Sequence, residues 1–134
     1  MGLSRRNPGP ALSFLSQSTL TDGLCVVVGS ADNTCALPAG ADPVTFLGVV
    51  KREDGSSAAS GDTVDLITSG IYPLVASAAI SRGDKLAIAG TSGKVKTSAI
   101  GAGTNSFIVG IALEAAAADG ERVAAMILPH LMQG

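Results

Sequence analysis

Apolar residues in this chain come in short runs that alternate with turn-forming residues. The runs are LCVVVG (24–29), PVTFLGVVKRE (43–53), TVDLITSG (63–70), IYPLVA (71–76), KLAIAG (85–90), KVKTSAI (94–100), SFIVGIALE (106–114) and RVAAMIL (122–128). Between them stand Ala31-Asp32-Asn33, Asp54-Gly55, Ser60-Gly61-Asp62, Arg82-Gly83-Asp84, Ser92-Gly93 and Asp119-Gly120, all with the chemistry of turns. Short runs at regular spacing predict the β-strands of a barrel or sandwich. Residues 1–18 differ: Ser, Pro and Gly are frequent there, and Pro8 and Pro10 block regular structure. The expected organisation is an extended N-terminal arm, 1–18, followed by a single β-barrel domain, 19–134.

The stretch LEAAAADG (113–120) has two readings. Ala is the best helix former, and Gly120 stands where a helix C-cap would be. The flanking segments FIVGIAL and ERVAAMIL read as strands instead. A weak internal repeat favours strands: 22–37 lines up with 83–98, 46–53 with 108–115, and 61–66 with 120–125. Gly29 then faces Gly90 in the alignment, and Gly48 faces Gly110. The counterpart of IALEA is VVKRE, whose β-branched pair disfavours a helix, and the alanines align with the loop SSAASG. Gly48 and Gly110, each inside a strand, mark a bend, a bulge or a close backbone approach. Two halves of this kind predict a closed, pseudo-symmetric barrel.

Composition narrows the function. Hydrophobic residues make up 46% of the chain and charged residues 15%, while aromatics are 3% with no Trp. A net charge of −2 gives no electrostatic reason to expect nucleic acid. The mean hydropathy of +0.42 raises the question of a membrane. Yet the longest nearly uncharged stretch, 95–113, contains Lys96 and is broken by Gly, Thr, Ser and Asn, so no spanning helix and no membrane association are expected. High hydropathy with few charges suits a protein that hides surface in an oligomer or partner. NPGP follows Arg5-Arg6 where a secretory signal needs an apolar stretch, and Arg6 stands where myristoylation needs Ser or Thr. Synthesis in the cytoplasm is the expectation, with Cys25 and Cys35 as reduced thiols on apolar strands.

The usual chemical signatures do not assemble. His130 is the only histidine, and with two Cys it makes no zinc set. GTSGKVKTS (90–98) lacks the glycine spacing of a phosphate loop and has Val95 in the place of the hydroxyl that would hold magnesium. GAGTNS (101–106) reads as a hairpin loop, and Arg82-Gly83-Asp84 as a turn. The carboxylates lie in or beside predicted turns, with no acid/base couple among them. No enzyme, metal or cofactor is expected.

The second half resembles the small capsid cement, or decoration, proteins of tailed bacteriophages. The resemblance rests on GDTVDLITSGIYPL, ASAAISRGDKLAIAG, SGKVKTS and, most specifically, VGIALEAAAADG ahead of a final strand, and it covers about residues 44–128. It implies an all-β fold: a small, tulip-like barrel of short antiparallel strands. It also implies a homotrimer that binds the outer surface of an icosahedral head and bridges subunits of the major capsid protein, without catalysis or cofactor. In such a protein Arg5 and Arg6 would pair with acidic capsid residues, and Phe14 and Leu15 would serve as apolar anchors of the arm. Residues 1–8 also read as an unstructured leader. A different class, a virion- or cell-surface barrel that binds glycans or receptors, is disfavoured because sugar platforms need aromatics and only Tyr72 and three Phe are present.

Overall fold

The computed structural model describes residues 6–41, 43, 45–99 and 105–133. Among them no helix forms, so none is present to cross a membrane. The strands are β1 (Asn7–Pro8), β2 (Ala11–Ser16), β3 (Cys25–Val28), β4 (Thr34–Ala36), β5 (Phe46–Lys51), β6 (Thr63–Ile67), β7 (Gly70–Val75), β8 (Lys85–Ile88), β9 (Val95–Thr97), β10 (Asn105–Ala112) and β11 (Arg122–Gln133). The all-β barrel class expected from the pattern is what the chain adopts.

Each half builds its own unit. Strands β2-β4-β3-β5-β6 close into a five-stranded barrel. The second sheet runs β1-β7-β11-β10-β8-β9, and a parallel bridge between Ala76 and Val95 brings its ends together. With β1 set aside, the two orders are the same. Cross-strand registers match as well. Cys25, Val49, Ile67 and Ala11 stand side by side across β3-β5-β6-β2. Lys85, Ile111, Met126 and Ile71 do so across β8-β10-β11-β7.

Turn hydrogen bonds repeat too. Gly23 N–H donates to the Val50 carbonyl, as Gly83 N–H does to Ala112. Leu20 and Ala58 exchange two bonds, as do Ile80 and Ala116. The repeat visible in the sequence is therefore a structural duplication, realised as two units and not as one barrel shared between halves.

Several local readings are sharpened by this register. LEAAAADG follows the end of β10 as an irregular loop held by one bridge, Ala116 to Ile80, and forms no helix, as its counterpart suggested. Gly29 N–H donates to Thr34 O and Ala89 N–H to Lys94 O, so Gly29 corresponds to Ala89 and not to Gly90. Residues 11–16 are a full barrel strand, which shortens the expected arm to the residues before it. Their ALSFLS wording is the repeat counterpart of IYPLVA (71–76). Strand β11 continues past Pro129, because the β10–β11 register shifts there and a bulge accepts a residue without an N–H. Most of the loop read at 101–106 lies outside the described residues.

Alternation along the barrel strands divides two cores. Val26, Val50, Val64 and Leu66 fill the barrel with Leu20, Cys35 and Ala58. The alternate positions Cys25, Val49 and Ile67 point out of the barrel and join Tyr72, Leu74, Leu86, Val109 and Ile127 in the core of the second sheet. One face of the first unit thus becomes part of the second unit's interior.

Candidate interaction surfaces

The polar feature nearest this junction is Asp22, in the turn before β3. It is 8% exposed and gathers partners from both units and from the arm. Its Oδ1 accepts the Tyr72 hydroxyl at 2.7 Å and the Arg52 backbone N–H at 2.8 Å. Its Oδ2 accepts Arg122 Nη2 at 2.7 Å and lies 3.5 Å from Arg6 Nη2. The same Arg122 nitrogen donates to the Pro73 carbonyl at 2.8 Å. Proline at position 73 leaves the β7 edge without an N–H there, and the guanidinium takes up the carbonyl. Gly23 permits this packing, since a Cβ there would come within 2.6 Å of Arg122 Nη2.

Burial alone would raise the Asp22 carboxyl, but the hydrogen bonds from Tyr72, Arg122 and the Arg52 backbone outweigh it and hold the pKa below the ordinary value. Burial and the bond to Asp22 push the Tyr72 phenol upward. Both groups stay in one protonation state through the neutral range. The cluster is a structural clasp with no proton to exchange at neutral pH.

Arg6 completes it from the arm. Its guanidinium stands 5.5 Å from the centre of the Tyr72 ring, and Nε lies 3.8 Å from Glu53 Oε1. Next to it β1 pairs antiparallel with β7, Asn7 opposite Ile71. Arg6 is thus engaged within the chain, while Arg5 lies outside the described residues. Phe14 is partly buried and packs against the barrel core. Leu15, 47% exposed, faces solvent. Gly48 and Gly110 do occupy equivalent strand positions, opposite Val26 and Leu86. A Cβ at Gly48 would sit 3.0 Å from the Ile67 carbonyl oxygen, and one at Gly110 would overlap the carbonyl of Met126, the counterpart of Ile67.

Sequence reading placed Asp22 among solvated turn carboxylates and Tyr72 on an ordinary strand. The available signal was the repeat in its correct register, where Asp22 faces Arg82 and the two halves part company in charge. Both cysteines are free and buried, and burial pushes the Cys25 thiol up to about 12. Among the described residues no three His, Cys, Asp or Glu side chains gather around a common point. The surface carries large exposed apolar residues: Leu12, Leu15 and Val28 on the barrel, and Met126, Leu128 and Leu131 on β11.

A family model described as phage cement protein matches residues 7–127. The chain belongs to the phage cement protein family. It is accordingly a structural phage protein associated with the virion. No curated protein matches the chain. Among solved structures, the N base of the head fiber gp8.5 of bacteriophage phi29 is similar, with a TM-score of 0.62, 18% identity, and coverage of 89% of this chain and 93% of that one. At that identity the likeness shows the fold, and it extends over both units of the cement protein.

Proposed function

We propose that this cement protein decorates the outer surface of an icosahedral phage head as a homotrimer and stabilises the shell by bridging subunits of the major capsid protein. The family match over residues 7–127 carries the reading. Its physical logic is linkage: a ligand that binds the assembled, expanded lattice and not its dissociated subunits stabilises the lattice by mass action. The chain is suited to that task. Only 15% of residues are charged, and exposed Leu and Met side chains supply apolar contact area. Leu15 is the anchor to test among those expected from the sequence, with Arg5 as a partner for acidic capsid groups. Arg6 and Phe14, expected in the same role, also have partners within the chain, at Asp22 and the barrel core.

The test is cosedimentation of the purified protein with shells of the phage that encodes it, expanded and unexpanded, followed by thermal melting of the shells. Binding to expanded shells with a raised melting temperature is expected. Equal absence of binding to both kinds of shell overturns the proposal.

A further inference from the structure

The duplication makes a prediction about the surface of the second unit. In the first unit the outward row Cys25, Val49 and Ile67 is fully buried, because it covers the interior of the second unit. The equivalents on the second unit are Lys85, Ile111 and Met126, with Ile71 beyond them as the counterpart of the exposed Ala11; no described residue buries them to the same degree, and Met126 is 41% exposed where Ile67 is 0%. The interiors show the reverse pattern. Tyr72, Leu74 and Val109 are sealed in the second unit, whereas their counterparts Leu12, Phe14 and Leu47 in the barrel all remain partly exposed, Leu12 at 50%. Each chain therefore carries one unused copy of each side of its own internal interface.

We infer that the second unit of one chain docks its row Ile71, Ile111 and Met126 onto the barrel mouth at Leu12, Phe14 and Leu47 of a second copy. At Ile111 and Met126 the contact reproduces between chains the packing that Val49 and Ile67 make within one, and Ile71 extends it. It is heterologous, head to tail, and closes into a ring when the rotation allows.

Charge supports the same pairing. Within the chain, Asp22 before β3 meets Arg122 at the start of β11. At the equivalent places stand Arg82, exposed in the turn before β8, and Thr63 at the start of β6, two residues from the exposed Asp65. The signs are exchanged and complementarity is kept. Asp65 already accepts Ser13 Oγ at 2.8 Å and faces Lys51 across the strands, and Lys85 flanks the docking row, so the contact has a charged rim around an apolar centre. The inference stands on the duplication and is independent of capsid binding.

Sedimentation of the full chain and of Met126→Lys and Leu12→Lys tests it. The wild type is expected to form a discrete oligomer, and each variant alone to sediment as a monomer with an unchanged circular-dichroism melt, since both side chains are exposed. Mixing the two variants leaves one good mouth and one good row, so a one-to-one dimer and nothing larger is expected. Arg82→Asp should weaken association by about tenfold, and the double variant Arg82→Asp/Asp65→Arg should recover it. A monomeric wild type, a variant that still oligomerises alone, or a mixture that stays monomeric overturns the inference. A monomer that still binds shells would overturn this inference and the trimer of the proposed function, and would leave shell binding itself standing.

Discussion

The two halves share strand order, register and turn hydrogen bonds, yet they hold themselves together differently. The barrel closes through five strands and a core of aliphatic side chains. The second unit completes its core only by borrowing Cys25, Val49 and Ile67 from the barrel's outer face. At the seam a buried carboxylate of the barrel half, Asp22, meets a phenol and a guanidinium of the second unit, Tyr72 and Arg122, and the equivalent positions of the other half hold Arg82, Leu12 and Thr63. A duplicated fold can thus keep its backbone while one copy turns a solvent face into an interface. The polar clasp marks which copy did so.

The clasp is where the halves should diverge most on mutation. Asp22→Ala leaves the Tyr72 hydroxyl without its acceptor and the Arg122 and Arg6 guanidinia without their shared anion. It is expected to destabilise the protein by about 3 kcal/mol. Arg82→Ala, at the equivalent exposed turn, should change monomer stability by less than about 0.5 kcal/mol. Denaturant melts of both variants make the comparison, and equal losses would remove the distinction between the two seams. The pH dependence has a definite sign. The Asp22 pKa is lowered on folding. Its stabilisation is therefore complete above the ordinary carboxylate value of about 3.9 and is lost as pH falls through the lower folded value. The gap between wild type and Asp22→Asn should be constant near neutrality and close in that acid range.

The strand glycines sharpen the comparison at equivalent positions. A methyl at Gly110 meets the Met126 carbonyl, backbone that must shift to admit it, while at Gly48 the corresponding oxygen is 3.0 Å away. Gly110→Ala should cost about 3 kcal/mol and Gly48→Ala about 1 kcal/mol, read as shifts of the urea midpoint. The reverse ranking would mean that the bulge in β10 and β11 absorbs the clash.

Much of this was legible in the residues. The alternating runs gave the strands because turn chemistry bounds them, and Gly48 with Gly110 aligned the halves correctly. Comparison with VVKRE removed the apparent helix at LEAAAADG, since β-strand pairing overrides the propensity of alanine. What was hidden had physical reasons. ALSFLS is masked by the Ser-, Pro- and Gly-rich stretch that leads into it and reads as a strand once it is set against IYPLVA. Pro129 reads as a strand end unless the bulge is known. Asp22 is one turn carboxylate among many in a linear reading, and its partners come from residues 30, 50 and 100 positions away. The apolar rows on the two units look alike in sequence, Val49 and Ile67 against Ile111 and Met126. Only the packing separates the buried row from the exposed one.

The smallest expected effect concerns the arm, and it tests whether the clasp needs its third member. Arg6 contributes a long 3.5 Å contact to Asp22 and a cation–π contact with Tyr72, and its side chain is 44% exposed. Solvent screens such a contribution, so Arg6→Ala should cost about 0.5 kcal/mol, far below Asp22→Ala. Arg6→Lys should lose most of the same increment, because a point charge cannot lie flat over the ring while reaching Asp22 and Glu53. If Arg6→Ala instead costs as much as Asp22→Ala, then β1 and β7 are held together through Arg6. The arm would then belong to the second unit's seam as fully as the barrel's borrowed residues do. Hydrogen exchange at Ile71, whose strand partner is Asn7, reads that difference directly: protection there should survive Arg6→Ala if the arm is held mainly by its backbone pairing.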